Sequence, residues 1–165
     1  MYPPQVRDGD IRVETDEGTA VFSASELRTR GGAERRIEIA CASGERVESV
    51  WQGLPVSTLV AEVSFPDETT HLSFTSRDDY RCCVDIRTAL DGLLAVVRDG
   101  EPLGESRPYE TRFVAPDVEG ARCLKDVRTV RPRSLVATED RTDYEQLDPD
   151  EDDEQENHPG DVTAR

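Results

Sequence analysis

The residues of this chain with the widest chemical reach are few: four cysteines, two histidines, one tryptophan and a single lysine among 20 basic residues. Cys41 closes the alternating run "RRIEIACA", on one face with Ile37 and Ile39. A thiol there is either a packed apolar group, since free cysteine is among the most buried residue types, or a soft thiolate ligand for a metal. Cys82 and Cys83 are adjacent, so a strand sends their side chains to opposite faces; core packing of one of them is expected. Cys123 has no partner spacing and is expected to pack. Lys125 is the one place where a compact ammonium is kept in a chain that otherwise uses arginine. Tyr80 reads as a strand residue beside a turn, and Arg112 as a strand guanidinium in an acid-rich surface. His71 and His158 form no catalytic arrangement, which excludes a histidine-based hydrolase or a histidine-rich metal site. Neither G-x-x-x-x-G-K nor G-x-G-x-x-G occurs, so no phosphate loop is expected.

The elements that must position these residues are short. "IRVET" and "TAVFS" flank a "DEG" turn and predict a hairpin. Ser23 and Glu26 have the spacing of a capping box at the start of a helix, which "RGG" should end. "LPVSTLVAEV" predicts a second helix with Pro55 near its first turn. Trp51, followed by Gly53 and Pro55, reads as a packing anchor that fixes the loop after Cys41. "THLSFTS" and "YRCCVDI" predict a strand pair around "RDD", and "RTALDG" a helical turn. "LLAVVRDGEPL" predicts a buried strand and an Asp-Gly turn, and "TRFVAPD" and "CLKDVRTVRP" two more strands. The expected fold is α+β, mainly β, with short helices packed on mixed sheets. A single domain is expected over residues 1–146, followed by an acidic, disordered tail over 147–165 with almost no apolar residues to offset the entropy of ordering.

Net charge is −16, with 36 acidic residues. Such a surface repels nucleic-acid phosphates and anionic lipid and excludes both as partners. The stretch "LDPDEDDEQENHPGDVTAR" holds eight of the acids and one base, and without it the charge is still −9. The acidity therefore belongs to the folded part as well, which points to a high-salt cytoplasm and a halophilic source. No apolar run approaches the ~20 residues that cross a bilayer, and the opening "MYPPQVRDGD" has no targeting pattern. A soluble cytoplasmic protein is expected.

The order of the pieces "FSASELR", "ACASG", "WQGLPVSTLV", "DDYRCCV", "LLAVVRDGEPL", "TRFVAP" and "GARCLKDV" resembles the molybdopterin-binding domain of the sulfite oxidase family. The most specific parts are W-x-G-x-P, the "LLAVVRDGEPL" strand and turn, and R-x-x-x-P followed by G-A-R-x-x-K. The resemblance covers about residues 10 to 135, a minimal form of the domain. It implies a molybdopterin-dependent oxidoreductase carrying out oxygen-atom transfer on a small oxo-anion or sulfoxide-type substrate. It places Cys41 on the cysteine whose thiolate binds molybdenum and Tyr80 on the active-site tyrosine. Arg112 and Lys125 match basic residues that hold the pterin and its phosphate, a task suited to the planar guanidinium fork.

The departures are specific. An upstream segment with further cofactor-binding residues has no counterpart. Arg107-Pro108 stands where the family has a His-Gly or Gly-Gly pair, and Asp126 where a tryptophan commonly follows the lysine. With no haem motif in the chain, electrons are expected to pass to an external carrier or partner subunit. The alternative implied by the departures is a cofactor-free relic of the same fold that acts as a binding or interaction module.

Overall fold

The computed structural model describes residues 9–40 and 43–147. Strands β1 (Ile11–Thr15) and β2 (Gly18–Phe22) form the expected hairpin. Helix α1 (Ala24–Gly31) starts as its sequence predicts. The Glu26 N–H donates to Ser23 Oγ at 3.0 Å, and the Ser23 N–H donates to Glu26 Oε1 at 3.2 Å. Gly32, in a left-handed conformation at φ 61°, ends the helix.

Strand β3 (Ala33–Ala40) alternates as read, with Ile37 and Ile39 buried. Strand β4 (Arg46–Pro55) corrects the sequence reading, which left a loop around Trp51. It pairs with β3 from Arg46 to Gly53 and carries Trp51 fully buried. Gly53 lies where the register between β4 and β7 (Leu93–Arg98) shifts. A Cβ at Gly53 would stand 2.1 Å from the Leu94 carbonyl oxygen, so only glycine allows this approach. The glycine of the W-x-G-x-P motif is therefore a packing requirement.

Helix α2 (Val56–Val63) buries Val56 and Leu59 and follows Pro55 directly. Strands β5 (His71–Ser76) and β6 (Arg81–Asp85) are the pair expected around "RDD". Helix α3 (Ile86–Leu90) is capped by Asp85, whose carboxylate accepts from the Arg87 N–H at 2.9 Å. After β7 the chain turns at Asp99 and Gly100, both at positive φ, into β8 (Glu101–Pro102). Helix α4 (Leu103–Ser106) and β9 (Arg112–Val114) follow. A single 3-10 turn, Gly120–Arg122, precedes β10 (Val127–Arg133). The expected strand over "CLKDVRTVRP" is thus shorter, because Cys123–Asp126 is taken up by that turn and by a bridge from Lys125 to Arg112.

The strands form two sheets. One has the order β2-β1-β10-β5-β6, mixed through the parallel β1–β10 pair; the other runs β3-β4-β7-β8, with β9 also on β7. Both supply one core. Phe74 of the first sheet stacks on Phe113 of the second, with ring centroids 4.1 Å apart. This is the expected α+β, mainly β architecture. No helix among the described residues is long and apolar enough to cross a membrane. Cys123 is buried as expected, and Cys82 and Cys83 are both buried where packing of one was expected. The acidic stretch 148–165 lies outside the described residues.

Candidate functional site

Two adjoining hollows open beside the ends of β5, α4 and the Cys123–Asp126 segment. The smaller, about 290 Å³, is lined by Ser76, Tyr80, Leu124 and Lys125. The larger, about 510 Å³, is lined by Arg28, Arg107 and Arg128 and by the carboxylates Glu105 and Glu110. Arg77, Pro108, Tyr109 and Asp126 line both, so the two are parts of one groove. Cavities of roughly 300–1,000 Å³ are the usual size for an organic ligand. The groove brings together Lys125 and four arginines in a chain whose acids outnumber its bases 36 to 20.

Each bank of the smaller hollow is held by local backbone geometry. On one side Asp79 takes φ 69°, which closes the turn between β5 and β6. The Ser76 N–H donates to the Tyr80 carbonyl at 2.8 Å, and the Tyr80 N–H to Ser76 Oγ at 3.1 Å. On the other side Asp126 takes φ 57°. Its N–H donates to the Thr111 carbonyl at 2.8 Å, and its own carbonyl accepts from the Arg77 N–H at 3.0 Å. That last bond ties the two banks together, beside the pairing of Ser76 with Val127.

Of the four residues singled out in the sequence, Tyr80 and Lys125 meet on this hollow. Arg112 is placed differently. It is 4% exposed, and its Nε donates to the Cys123 carbonyl at 2.7 Å, with Nη2 3.4 Å from the Gly120 carbonyl. Its guanidinium carbon also lies 5.9 Å from the Trp51 ring centroid, on a ring that Arg98 approaches at 4.9 Å. Arg112 thus braces the segment that leads to Lys125. Cys41 lies outside the described residues. The strand before it ends at Ala40, whose main chain bridges to Glu119 at the start of the same segment.

Sequence reasoning missed Arg28, Arg77 and Arg128. They come from α1, the β5–β6 turn and β10, and no local pattern joins them. Arg107 did leave a signal, because it stands where the resembled family has a different pair.

Lys125 and the four arginines are donors suited to an anionic pterin cofactor, although Asp78, Glu105, Glu110 and Asp126 line the same groove. Guanidinium and ammonium groups pair phosphate and pterin oxygens, and Pro108, Tyr109 and Leu124 supply apolar wall. Among the described residues no cluster of three or more His, Cys, Asp or Glu could hold a metal by itself.

No curated protein matches the chain closely in sequence. Among solved structures, the chain is similar to the sulfane dehydrogenase SoxCD from Paracoccus pantotrophus, at 19% identity and a TM-score of 0.68. The match covers 82% of this chain and 41% of that one, so the chain spans less than half of that relative's length. At this identity the likeness establishes the fold, that of a sulfite-oxidase-type molybdopterin domain. The model of the oxidoreductase molybdopterin-binding domain matches residues 4–139, and the chain belongs to that family.

Proposed function

We propose that this domain is a molybdopterin-dependent oxidoreductase that moves an oxygen atom to or from a small oxo-anion or sulfoxide-type substrate. The observation that carries the reading is the meeting of Tyr80 and Lys125, distant in sequence, on one hollow that adjoins a second lined by Arg28, Arg107 and Arg128. Family membership supports the cofactor class.

The cofactor, when bound, supplies the redox chemistry. The chain supplies binding, orientation and electrostatics. Lys125 and Arg77 hold anionic oxygens of the cofactor, with Arg107 and Arg128 extending the positive field along the groove. Arg112 acts on the cofactor through the segment it braces, keeping Lys125 in place. The Tyr80 hydroxyl donates a hydrogen bond to the substrate oxygen and orients it. Pro108, Tyr109 and Leu124 exclude water from one wall, which strengthens these charge interactions. Cys41 is the proposed thiolate ligand of the molybdenum. The five basic side chains that line the groove offer hydrogen-bond donors to an oxygen-rich substrate. Electrons leave to an external carrier or partner subunit, and the acid-rich, lysine-poor surface supports a high-salt cytoplasm as the setting.

Elemental analysis tests the reading. Protein purified from a host that makes the cofactor should hold near-stoichiometric molybdenum, and Cys41→Ser should lose it. Metal-free wild-type protein from such a host would overturn the enzyme and leave the interaction module.

A further inference from the structure

The segment after β10 is polar, yet it is docked. It contains a 3-10 turn, Arg141–Tyr144, and ends against β6. The Arg81 N–H donates to the Gln146 carbonyl and the Gln146 N–H to the Arg81 carbonyl, both at 2.8 Å. Arg81 Nε also donates to the Tyr144 carbonyl at 2.8 Å, and Arg141 Nη1 to the Cys83 carbonyl at 3.1 Å. This strap covers the free edge of the first sheet. It also lies beyond the residues matched by the family model, which end at 139.

Its centre is Glu145, whose side chain is 4% exposed. Glu145 Oε2 accepts from the Cys83 N–H at 2.9 Å and from Arg122 Nε at 2.9 Å. Glu145 Oε1 accepts from Arg122 Nη2 at 2.8 Å. The remaining Arg122 nitrogen, Nη1, reaches Glu119. One carboxylate therefore joins β6, which begins just after Tyr80, to the 3-10 turn that leads to Lys125. The two sides it joins are the two banks of the smaller hollow. The same two sides are also tied by the Arg77–Asp126 bond, by Cys82 Sγ, which donates to the Arg122 carbonyl at 3.3 Å, and by the pairing of Ser76 with Val127.

We propose that Glu145 is a positioning residue: with Arg122 it clamps the Tyr80 bank to the Lys125 bank and so sets the geometry of the hollow. The purpose assigned to the clamp rests on the reading of the hollow as a binding site. Its existence does not, and it is measurable without a cofactor.

Two built-in reporters make the test specific. Lys125 is the only lysine, so amine acylation resolved by peptide mass spectrometry follows that side chain alone. Cys83 is fully buried, with its N–H held by Glu145 and its carbonyl by Arg141 of the strap, so alkylation of its thiol follows strap opening. In full-chain protein, Glu145→Gln should speed Cys83 alkylation and change the Lys125 acylation rate, each by about tenfold, the scale of a lost 1.4 kcal/mol. Arg141→Ala frees the strap from the Cys83 carbonyl but leaves the clamp, so it should speed Cys83 alone. If Glu145→Gln fails to fold, Arg122→Lys, which keeps the charge and loses the fork, should move the Lys125 rate in the same direction. A Lys125 rate within twofold of wild type when Cys83 is exposed by Glu145→Gln or Arg122→Lys overturns the clamp and leaves a mere cover. Wild-type protein that holds no molybdenum but shows the coupled rates overturns the function and leaves the clamp standing.

Discussion

Arg112 and Lys125 are partners on an isolated antiparallel bridge, yet their side chains meet different surroundings. Lys125 lines the hollow, whereas Arg112 is held inside by the Cys123 and Gly120 carbonyls and lies beside the Trp51 ring. A pair matched by sequence pattern to one task thus stands in two settings, one side chain lining the hollow and the other held inside.

That division predicts opposite signatures for the two substitutions. Arg112→Ala takes the guanidinium donor from the Cys123 carbonyl and leaves a gap in the interior, and should lower stability by about 2–4 kcal/mol. Arg112→Lys should recover little of it, since an ammonium cannot replace the fork. Lys125→Ala should change the urea midpoint only slightly and lower cofactor retention roughly tenfold, or about 1.4 kcal/mol. Urea titration beside molybdenum content separates the two.

Tyr80→Phe keeps the ring and removes the hydroxyl. On the proposed function, cofactor content should stay at the wild-type level and kcat should fall about 100-fold, the scale for losing one oriented donor. Unchanged turnover with full cofactor would remove Tyr80 from the chemistry.

Much of this architecture is legible in the sequence because its signals are local. The Ser23–Glu26 capping box, the Asp99-Gly100 turn and the Ile37–Ile39 alternation each became the element they predicted. Strand β4 was not read, because Trp51 and Gly53 drew attention as loop punctuation, while the pairing that makes them strand residues comes from β3 and β7. The strap was not read because its burial rests on Glu145 and Arg122, charged residues whose partners lie elsewhere in the chain. Arg28, Arg77 and Arg128 escaped for the same reason. Tyr80, Lys125 and Arg107 were reachable through the family pattern around them.

Trp51 offers a further check. Its ring is fully buried in β4, with Arg98 at 4.9 Å and Arg112 at 5.9 Å. Trp51→Ala should cost about 3–5 kcal/mol, as for other large core side chains. Trp51→Phe retains an aromatic face for the guanidinium groups and should cost about 1–2 kcal/mol. Urea unfolding followed by circular dichroism measures both without relying on the lost fluorophore.

The buried thiols predict how stability depends on alkaline pH. Burial pushes the Cys83 thiol up to about 11 from an ordinary value of 9.0, and nearby Glu145 adds to the rise. Burial also holds the Cys82 thiol well above that value. Below pH 9 these thiols are protonated whether the chain is folded or not, and the native state keeps its full advantage. Above pH 9 the unfolded chain releases protons that the folded chain retains, so stability falls as pH rises. For Cys83 the loss should run from about pH 9 to about pH 11 and then level off. Cys83→Ala removes that contribution. Its urea midpoint should therefore fall less steeply than wild type across the same window, and parallel midpoint curves for the two proteins would show that the Cys83 thiol does not titrate as its surroundings require.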